Sequence, residues 1–211
     1  MDLFTYYRST SSYRVRIALA LKGLDYTAIP VDLSSGKSEQ HPPDYHAINP
    51  QGRVPAIRLD GGIVITQSPA IIEYLEERYP QPALLPQELV LRARQRAVAA
   101  VIGCDVHPLH NVSVLDRLRS LGHEEAALRT WIGHWIDSGL RAVEALIGDT
   151  GFCFGERPGL ADVYLLPQCY AARRYAVDLN AYSRIQRVEC LAMQHPAFQQ
   201  AHPDAQSDKP E

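Results

Sequence analysis

Residues 8–12 read Arg-Ser-Thr-Ser-Ser, one guanidinium followed by four hydroxyls, and run straight into RVRIAL at 14–19. Hydroxyl donors at the start of a helix, where unpaired N–H groups and the dipole are positive, stabilise an anion over its conjugate acid. An arginine beside them suits a carboxylate. The same residues would also serve a plain helix start, with Ser11 or Ser12 as the cap. Three other places carry comparable chemistry. Gln67-Ser68-Pro69 opens an apolar, helix-patterned run and so offers a second anion-favouring helix N-terminus. Arg173 and Arg174 stand together near the end of a helical stretch. His107, His110 and Asn111 share the short segment HPLHN.

Bulk properties narrow the setting. The 211 residues suffice for one large domain or two modest ones, and 46% hydrophobic with 21% charged residues is ordinary for a globular protein. A formal net charge of −3 supplies no global attraction to nucleic acid or to an anionic membrane. No uninterrupted apolar run approaches the ~20 residues of a bilayer span. MDLFTYYRS lacks the basic and apolar regions of a secretory signal. Cys104, Cys153, Cys169 and Cys190 lie far apart without metal-like spacing, so reduced thiols in a cytoplasmic protein, and no metal, are expected.

The elements that must position these residues alternate over the first 80 positions. Asp2–Tyr7 has strand composition, and Ser12–Gly23 reads as a helix ending in a basic turn and glycine. Tyr26–Leu33 is a second strand, with Pro30 placing it at an edge. Ser34–Asn49 is polar and broken by prolines. Arg53–Leu59 and Ile63–Thr66 flank Asp60-Gly61-Gly62 as a hairpin. A helix follows, with Ser68 as cap and Pro69 in its first turn, and stops before Pro80. The order β-α-β-(loop)-β-β-α predicts a parallel pair joined through a helix plus a late antiparallel pair, a thioredoxin-like domain at 1–81. A ferredoxin-like split βαβ is the competing topology. Residues 82–87 form a proline-rich linker. Beyond them Leu89–Val106, Leu109–Leu121, Glu124–Ile147, Leu160–Tyr175 and Ser183–Gln194 are helix-patterned, so 88–211 reads as an all-α domain with a frayed, polar end at 203–211. The fold class is therefore α/β plus all-α.

Against that architecture, RSTSSYRVRIALALKG at 8–23, AINPQGRVPAI at 47–57 and QSPAIIEYLEERYP at 67–80 closely resemble the glutathione transferase family, and the Ser-rich loop before RVRIAL is similar to its zeta class. HPLHNVSVL, LADVYLLPQ and ARRYAVDLNAYSRI extend the resemblance to about residue 200. Zeta-class members act as maleylacetoacetate or maleylpyruvate isomerases. The resemblance therefore implies glutathione as cofactor, a small dianionic substrate, no nucleic-acid or membrane partner, and a homodimer.

It also implies roles for particular residues. The Val54-Pro55 peptide is expected to be cis, with the Val54 backbone pairing with the cysteinyl part of glutathione. Gln67 and Ser68 would hold the γ-glutamyl carboxylate. Gln40 would hold the other end of the peptide, with His41 as a neighbouring candidate. Ser9 matches the serine that stabilises the thiolate. Thr10 and Ser11 stand where the family reads Ser-Cys, which leaves open which of the three hydroxyls lies nearest sulfur. Arg8 and Arg174 would clamp the two substrate carboxylates, while Arg14 and Arg16 support packing or surface pairs and Arg173 is solvated. Asn111 and His107 match pocket positions, His107 as a candidate for moving a proton.

Competing readings are a conjugating or dehalogenating transferase and a non-enzymatic binding module. One departure concerns folding: Gly159 replaces the usual hydroxyl of a capping box whose Asp162 remains. On sequence alone, Gly159→Thr is expected to stabilise.

Overall fold

Strand β1 (Asp2–Thr5) lies between β2 (Thr27–Pro30) and β3 (Ala56–Arg58), with β4 (Val64–Thr66) outside β3, in a computed structural model that describes residues 1–31 and 43–210. The pair β1–β2 is parallel because α1 (Thr10–Leu21) makes the crossover; β1–β3 and β3–β4 are antiparallel. Short helices α2 (Pro43–Ile48) and α3 (Ser68–Arg78) complete the thioredoxin-like pattern. Pro30 does sit on the edge strand, where a missing N–H costs no ladder bond.

Helix α1 is buried almost all round, Arg14 and Arg16 included. Helix α3 covers part of it, and α9 (Pro196–Ala201) covers another part. At its end the Lys22 ammonium is withdrawn from water and donates to Glu76 Oε2 at 2.7 Å and to the carbonyls of Tyr79 at 2.7 Å and Pro82 at 3.0 Å. A buried ammonium needs that full set of acceptors to offset desolvation.

The chain divides into Met1–Ala83 with His195–Glu211 as one unit and Leu84–Gln194 as the other. This differs from the sequence-based division, which carries the helical part to residue 211. The terminal stretch is not frayed: Phe198, Ala201 and Pro203 are buried in the first unit, and a 3₁₀ turn at Pro203–Ala205 continues it. Its polar composition misleads because the Ala201 carbonyl and the Asp208 carboxylate find partners 185 and 201 residues away, which no local pattern reveals.

The helical unit contains α4 (Leu89–Ala100), a π-helical turn (Val101–Val106), a 3₁₀ turn (His107–His110), α5 (Val112–Ser120), α6 (Glu125–Leu146), α7 (Leu160–Arg174) and α8 (Ser183–Gln194). The single helix expected at 89–106 thus changes winding after Ala100. By length and composition the continuous run Leu89–Ser120 would pass for a membrane span. Val98, Ile102, Val106 and Leu115 within it are instead buried in the unit's own core. Gly139 on α6 makes this packing possible, since a Cβ there would fall 2.0 Å from Val106 Cγ2.

Helix α7 is the core of the unit, and Asp162 organises its start. One carboxylate oxygen accepts the Cys153 N–H at 2.9 Å, the other the Gly159 N–H at 2.8 Å. Burial pushes this carboxyl up, opposed by those two donors. The expectation for Gly159 is overturned by space. A Cβ would stand 2.9 Å from the Leu84 carbonyl, which itself accepts the Leu160 N–H at 2.8 Å, and 2.6 Å from Gln95 Oε1. Backbone cannot yield as a surface side chain would. Gly159→Thr should therefore destabilise, by about 1–3 kcal/mol, seen as a lower denaturant midpoint at unchanged slope.

A second prediction concerns pH. The ring of His202 meets Tyr13 edge-on at 5.9 Å, and its Nδ1 accepts the Asp204 N–H at 3.2 Å. Burial holds the imidazole below its ordinary range; Asp204 opposes this, and Arg16 and Lys209 reinforce it. A depressed folded value means that this site's contribution is complete above about pH 6.5 and is lost as pH falls through the folded value. Melting temperature should drop between about pH 7.5 and 5.5, and His202→Gln should show the smaller drop.

Candidate functional site

The turn that leaves β1 is closed by the Ser9 N–H donating to the Tyr6 carbonyl at 3.0 Å, which puts Tyr7 and Arg8 at its corners. Ser9 then caps α1, its Oγ accepting the Ser12 N–H at 3.2 Å. The cap is thus Ser9 itself rather than Ser11 or Ser12, because the helix begins two residues earlier than its apolar periodicity shows. Thr10 and Ser12 are buried, whereas Ser9 and Ser11 are half-buried.

A hydrogen count fixes the direction of the remaining bonds. Ser11 Oγ lies 3.1 Å from the Val54 carbonyl, which can only accept, so the single Ser11 hydroxyl proton goes there. Ser9 Oγ lies 3.1 Å from Ser11 Oγ and must then be the donor. The chain runs from Ser12 N–H to Ser9, from Ser9 O–H to Ser11, and from Ser11 O–H to Val54. Of these groups, the Ser9 O–H can turn to another acceptor while its oxygen stays fixed by the helix. That arrangement places a rotatable donor and a helix N-terminus at one point.

Beside it, Val54-Pro55 is cis, as expected. Tyr45 Oη and Asn49 Nδ2 both donate to the Arg53 carbonyl, at 2.7 and 2.5 Å, and hold the approach to this peptide. Burial pushes the Tyr45 hydroxyl up to about 12, so it remains a donor throughout the physiological range. Helix α3 begins at Ser68, making Gln67 the cap residue in place of Ser68. Gln67 adopts φ 71°, ψ 118°, a costly conformation for a residue with a Cβ. Its side chain does not cap the helix and instead donates to Gln51 Oε1. The first N–H groups of α3 thereby keep their donor capacity for an anion. Gln40 and His41 lie outside the described residues.

Arg8 is exposed, with its guanidinium about equally distant from the rings of Tyr6 and Tyr7, at 6.0 and 5.9 Å. Among the described residues no carboxylate pairs with it. Arg14 and Arg16 are buried, and Arg16 donates to Ala201, Thr5 and Tyr7 of the first unit.

In the helical unit the two adjacent arginines separate by role. Arg173 is held by Glu189, with Nε to Oε1 at 2.8 Å, and that partner raises its pKa. It is thus an ion-paired residue rather than a merely solvated one. Arg174 instead donates to Tyr175 Oη at 2.7 Å and lies 4.7 Å over the Tyr175 ring, which leaves most of its donors available. Immediately after, Ala176 closes α7 at φ 55°. His110 is buried, its Nε2 within 3.4 Å of Gln168 Oε1, and its ring meets Tyr175 at 5.9 Å and His107 at 5.4 Å. Asn111 caps α5, Oδ1 accepting the Ser113 N–H at 3.3 Å. Sequence reasoning passed over Tyr175, Gln168 and His110 as partners, since only folding joins residues 58 positions apart.

Among the described residues no group of His, Cys, Asp and Glu could hold a metal ion. Burial pushes the Cys153 and Cys169 thiols well up, so neither is a nucleophile.

Residues 3–83 match the glutathione S-transferase N-terminal domain family, and residues 125–200 match the glutathione S-transferase C-terminal domain family. Maleylacetoacetate isomerase of Pseudomonas aeruginosa strain PAO1 is 65% identical over 210 residues, covering 100% of this chain and 99% of that one. The holo structure of a bacterial zeta-class maleylpyruvate isomerase superposes with a TM-score of 0.94 at 46% identity, covering 100% of both chains. Maleylacetoacetate isomerase of Anaeromyxobacter dehalogenans 2CP-1, with glutathione bound in its active site, superposes with a TM-score of 0.89 at 42% identity, covering 99% of this chain and 97% of that one.

Proposed function

The chain belongs to the glutathione S-transferase family, and on that premise we propose that it is a glutathione-dependent cis–trans isomerase of a maleyl keto acid, with maleylacetoacetate as the substrate. The observation that carries the reading is the one-directional hydrogen-bond chain that leaves the Ser9 hydroxyl able to turn at the start of α1. The 65% identity to a maleylacetoacetate isomerase supports the choice of substrate.

The residues present fit glutathione: a rotatable hydroxyl at one helix start, a backbone peptide at Val54-Pro55, and a second helix start whose preceding residue holds a strained φ. When bound, glutathione supplies a thiolate that adds reversibly to the maleyl double bond, freeing rotation before elimination gives the trans product. Ser9 O–H would move from Ser11 to the sulfur and, with the positive end of α1, favour thiolate over thiol. Ser11 and Thr10 then act around Ser9 rather than in its place. Ser68 and the first N–H groups of α3, reached past Gln67, would hold the γ-glutamyl carboxylate. Val54 would pair with the cysteinyl backbone. Gln40, His107 and Asn111 are assigned to the rest of the glutathione pocket.

Arg8 and Arg174 are assigned to the substrate carboxylates, since among the described residues neither guanidinium is committed to a carboxylate. Maleylpyruvate is the second reading, favoured by the likeness to a maleylpyruvate isomerase. A cytoplasmic homodimer is the assembly assigned. The free thiols of Cys104 and Cys190 suit a reducing compartment, and the exposed Leu89 and Val90 at the start of α4 suit cover by a second copy.

The deciding experiment assays both maleyl substrates with and without glutathione. Isomerisation of maleylacetoacetate that depends on glutathione is expected, and its absence with both substrates would overturn the reading. Arg174→Ala should lower kcat/KM at least tenfold for the dianion, about 1.4 kcal/mol of lost binding, and much less for a neutral electrophile. Ser9→Ala should lower kcat by about 10²–10³ and move the rise of activity to higher pH, because the bound thiol loses its donor. Ser11→Ala should cost less than tenfold, since Ser9 keeps both its cap and its proton.

A further inference from the structure

The turn that presents Arg8 and Ser9 does not hold its own shape. The Ser9 N–H to the Tyr6 carbonyl closes it, and the corner residue Tyr7 has an N–H and a carbonyl that this bond leaves unused. The first is taken by Asp208 Oδ2, 2.8 Å from the Tyr7 nitrogen across 201 residues of sequence. The second accepts Arg16 Nη2 at 2.9 Å. Arg16 also donates through Nη1 to Thr5 Oγ1 at 3.1 Å and to the Tyr6 carbonyl at 3.3 Å, and through Nε to the Ala201 carbonyl at 3.0 Å. Ala201 is the last residue of α9, so one buried guanidinium joins the end of β1, the turn and the carboxyl-terminal segment. Asp208 then closes the same segment onto the other side of the Tyr7 peptide.

The geometry points to Asp208 as a positioning residue: through Tyr7 it fixes the peptide that aims Arg8 and Ser9, with Arg16 as the opposing anchor. Among the described residues Asp208 hydrogen-bonds to the Tyr7 N–H and to none of those assigned to glutathione or substrate, so its effect on Ser9 passes through the turn. A charge-assisted bond from a backbone N–H to a carboxylate is about twice as strong as a neutral one. It also orients a peptide plane one residue from Arg8 and two from Ser9. The inference rests on the reading of Ser9 as the thiolate donor, and the test separates the two.

The measurement is the pKa of the glutathione thiol in the binary complex, read by ultraviolet thiolate absorbance, together with kcat, KM for glutathione and melting temperature. Asp208→Ala should raise the bound thiol pKa by about one unit and lower kcat about tenfold, with the glutathione KM within about twofold. A chain ending at Ser207 should reproduce these values. Asp208→Asn keeps an acceptor oxygen and should recover most of the loss, which a purely structural role would not demand. Lys209→Ala removes a neighbouring charge that pairs with Asp204 at 2.6 Å and should leave the thiol pKa in place. Ser9→Ala is the reference. If it leaves the thiol pKa unchanged, the reading of Ser9 fails. If it shifts the pKa while Asp208→Ala and the shortened chain do not, or if Asp208→Asn recovers nothing, the role of Asp208 is overturned.

Discussion

A guanidinium with essentially no exposed surface is the constraint on which the first unit depends. Removing an arginine from water costs several kcal/mol unless its donors are matched. Arg16 meets that demand with three backbone carbonyls and a threonine hydroxyl drawn from two distant stretches of the chain, Thr5–Tyr7 and Ala201. None of those acceptors can be lost cheaply. The end of β1, the Tyr6–Ser9 turn, α1 and α9 are therefore held in one arrangement. Helix α1 can bury Arg16 because that guanidinium finds acceptors inside the unit instead of reaching for solvent.

The chemistry assigned to the turn follows from that rigidity. A hydroxyl that stabilises a thiolate must already stand in the right place, since groups that shift during reaction contribute less. Ser9 meets this by serving two ends at once. Its oxygen is pinned by the Ser12 N–H, and its proton is parked on Ser11, whose own proton is spent on Val54. A serine at position 11, where the family resemblance leads one to expect cysteine, is a better acceptor for that proton than a thiol. At α3 the same economy holds: Gln67 takes an unfavourable φ, and the first helical N–H groups keep their capacity for an anion.

The helical unit is organised by close approach. Gly139 lets α6 meet the π-helical turn that leads into His107–His110, and Gly159 lets α7 begin against the Leu84 carbonyl. Asp162 can then accept two backbone N–H groups without a hydroxyl partner at the cap. The capping-box pattern at Gly159-Leu160-Ala161-Asp162 suggested a defect where the fold has a steric requirement, because sequence shows the missing hydroxyl but not the carbonyl that excludes it.

The sequence by itself determined the order of strands and helices, the edge position of Pro30, the cis peptide at Val54-Pro55 and the family, since each rests on local periodicity or on contiguous motifs. It also brought Ser9, Arg8, Gln67, Ser68 and Arg174 into view by type and motif. Tertiary structure alone decided which serine caps α1, which way its proton points, and that Arg173 is paired with Glu189 while Arg174 is not. It alone revealed that residues 195–211 belong to the first unit and that Asp208 holds the Tyr7 peptide. Periodicity and capping signals act over three or four residues, whereas a hydrogen bond across 201 positions exists only once the chain has folded.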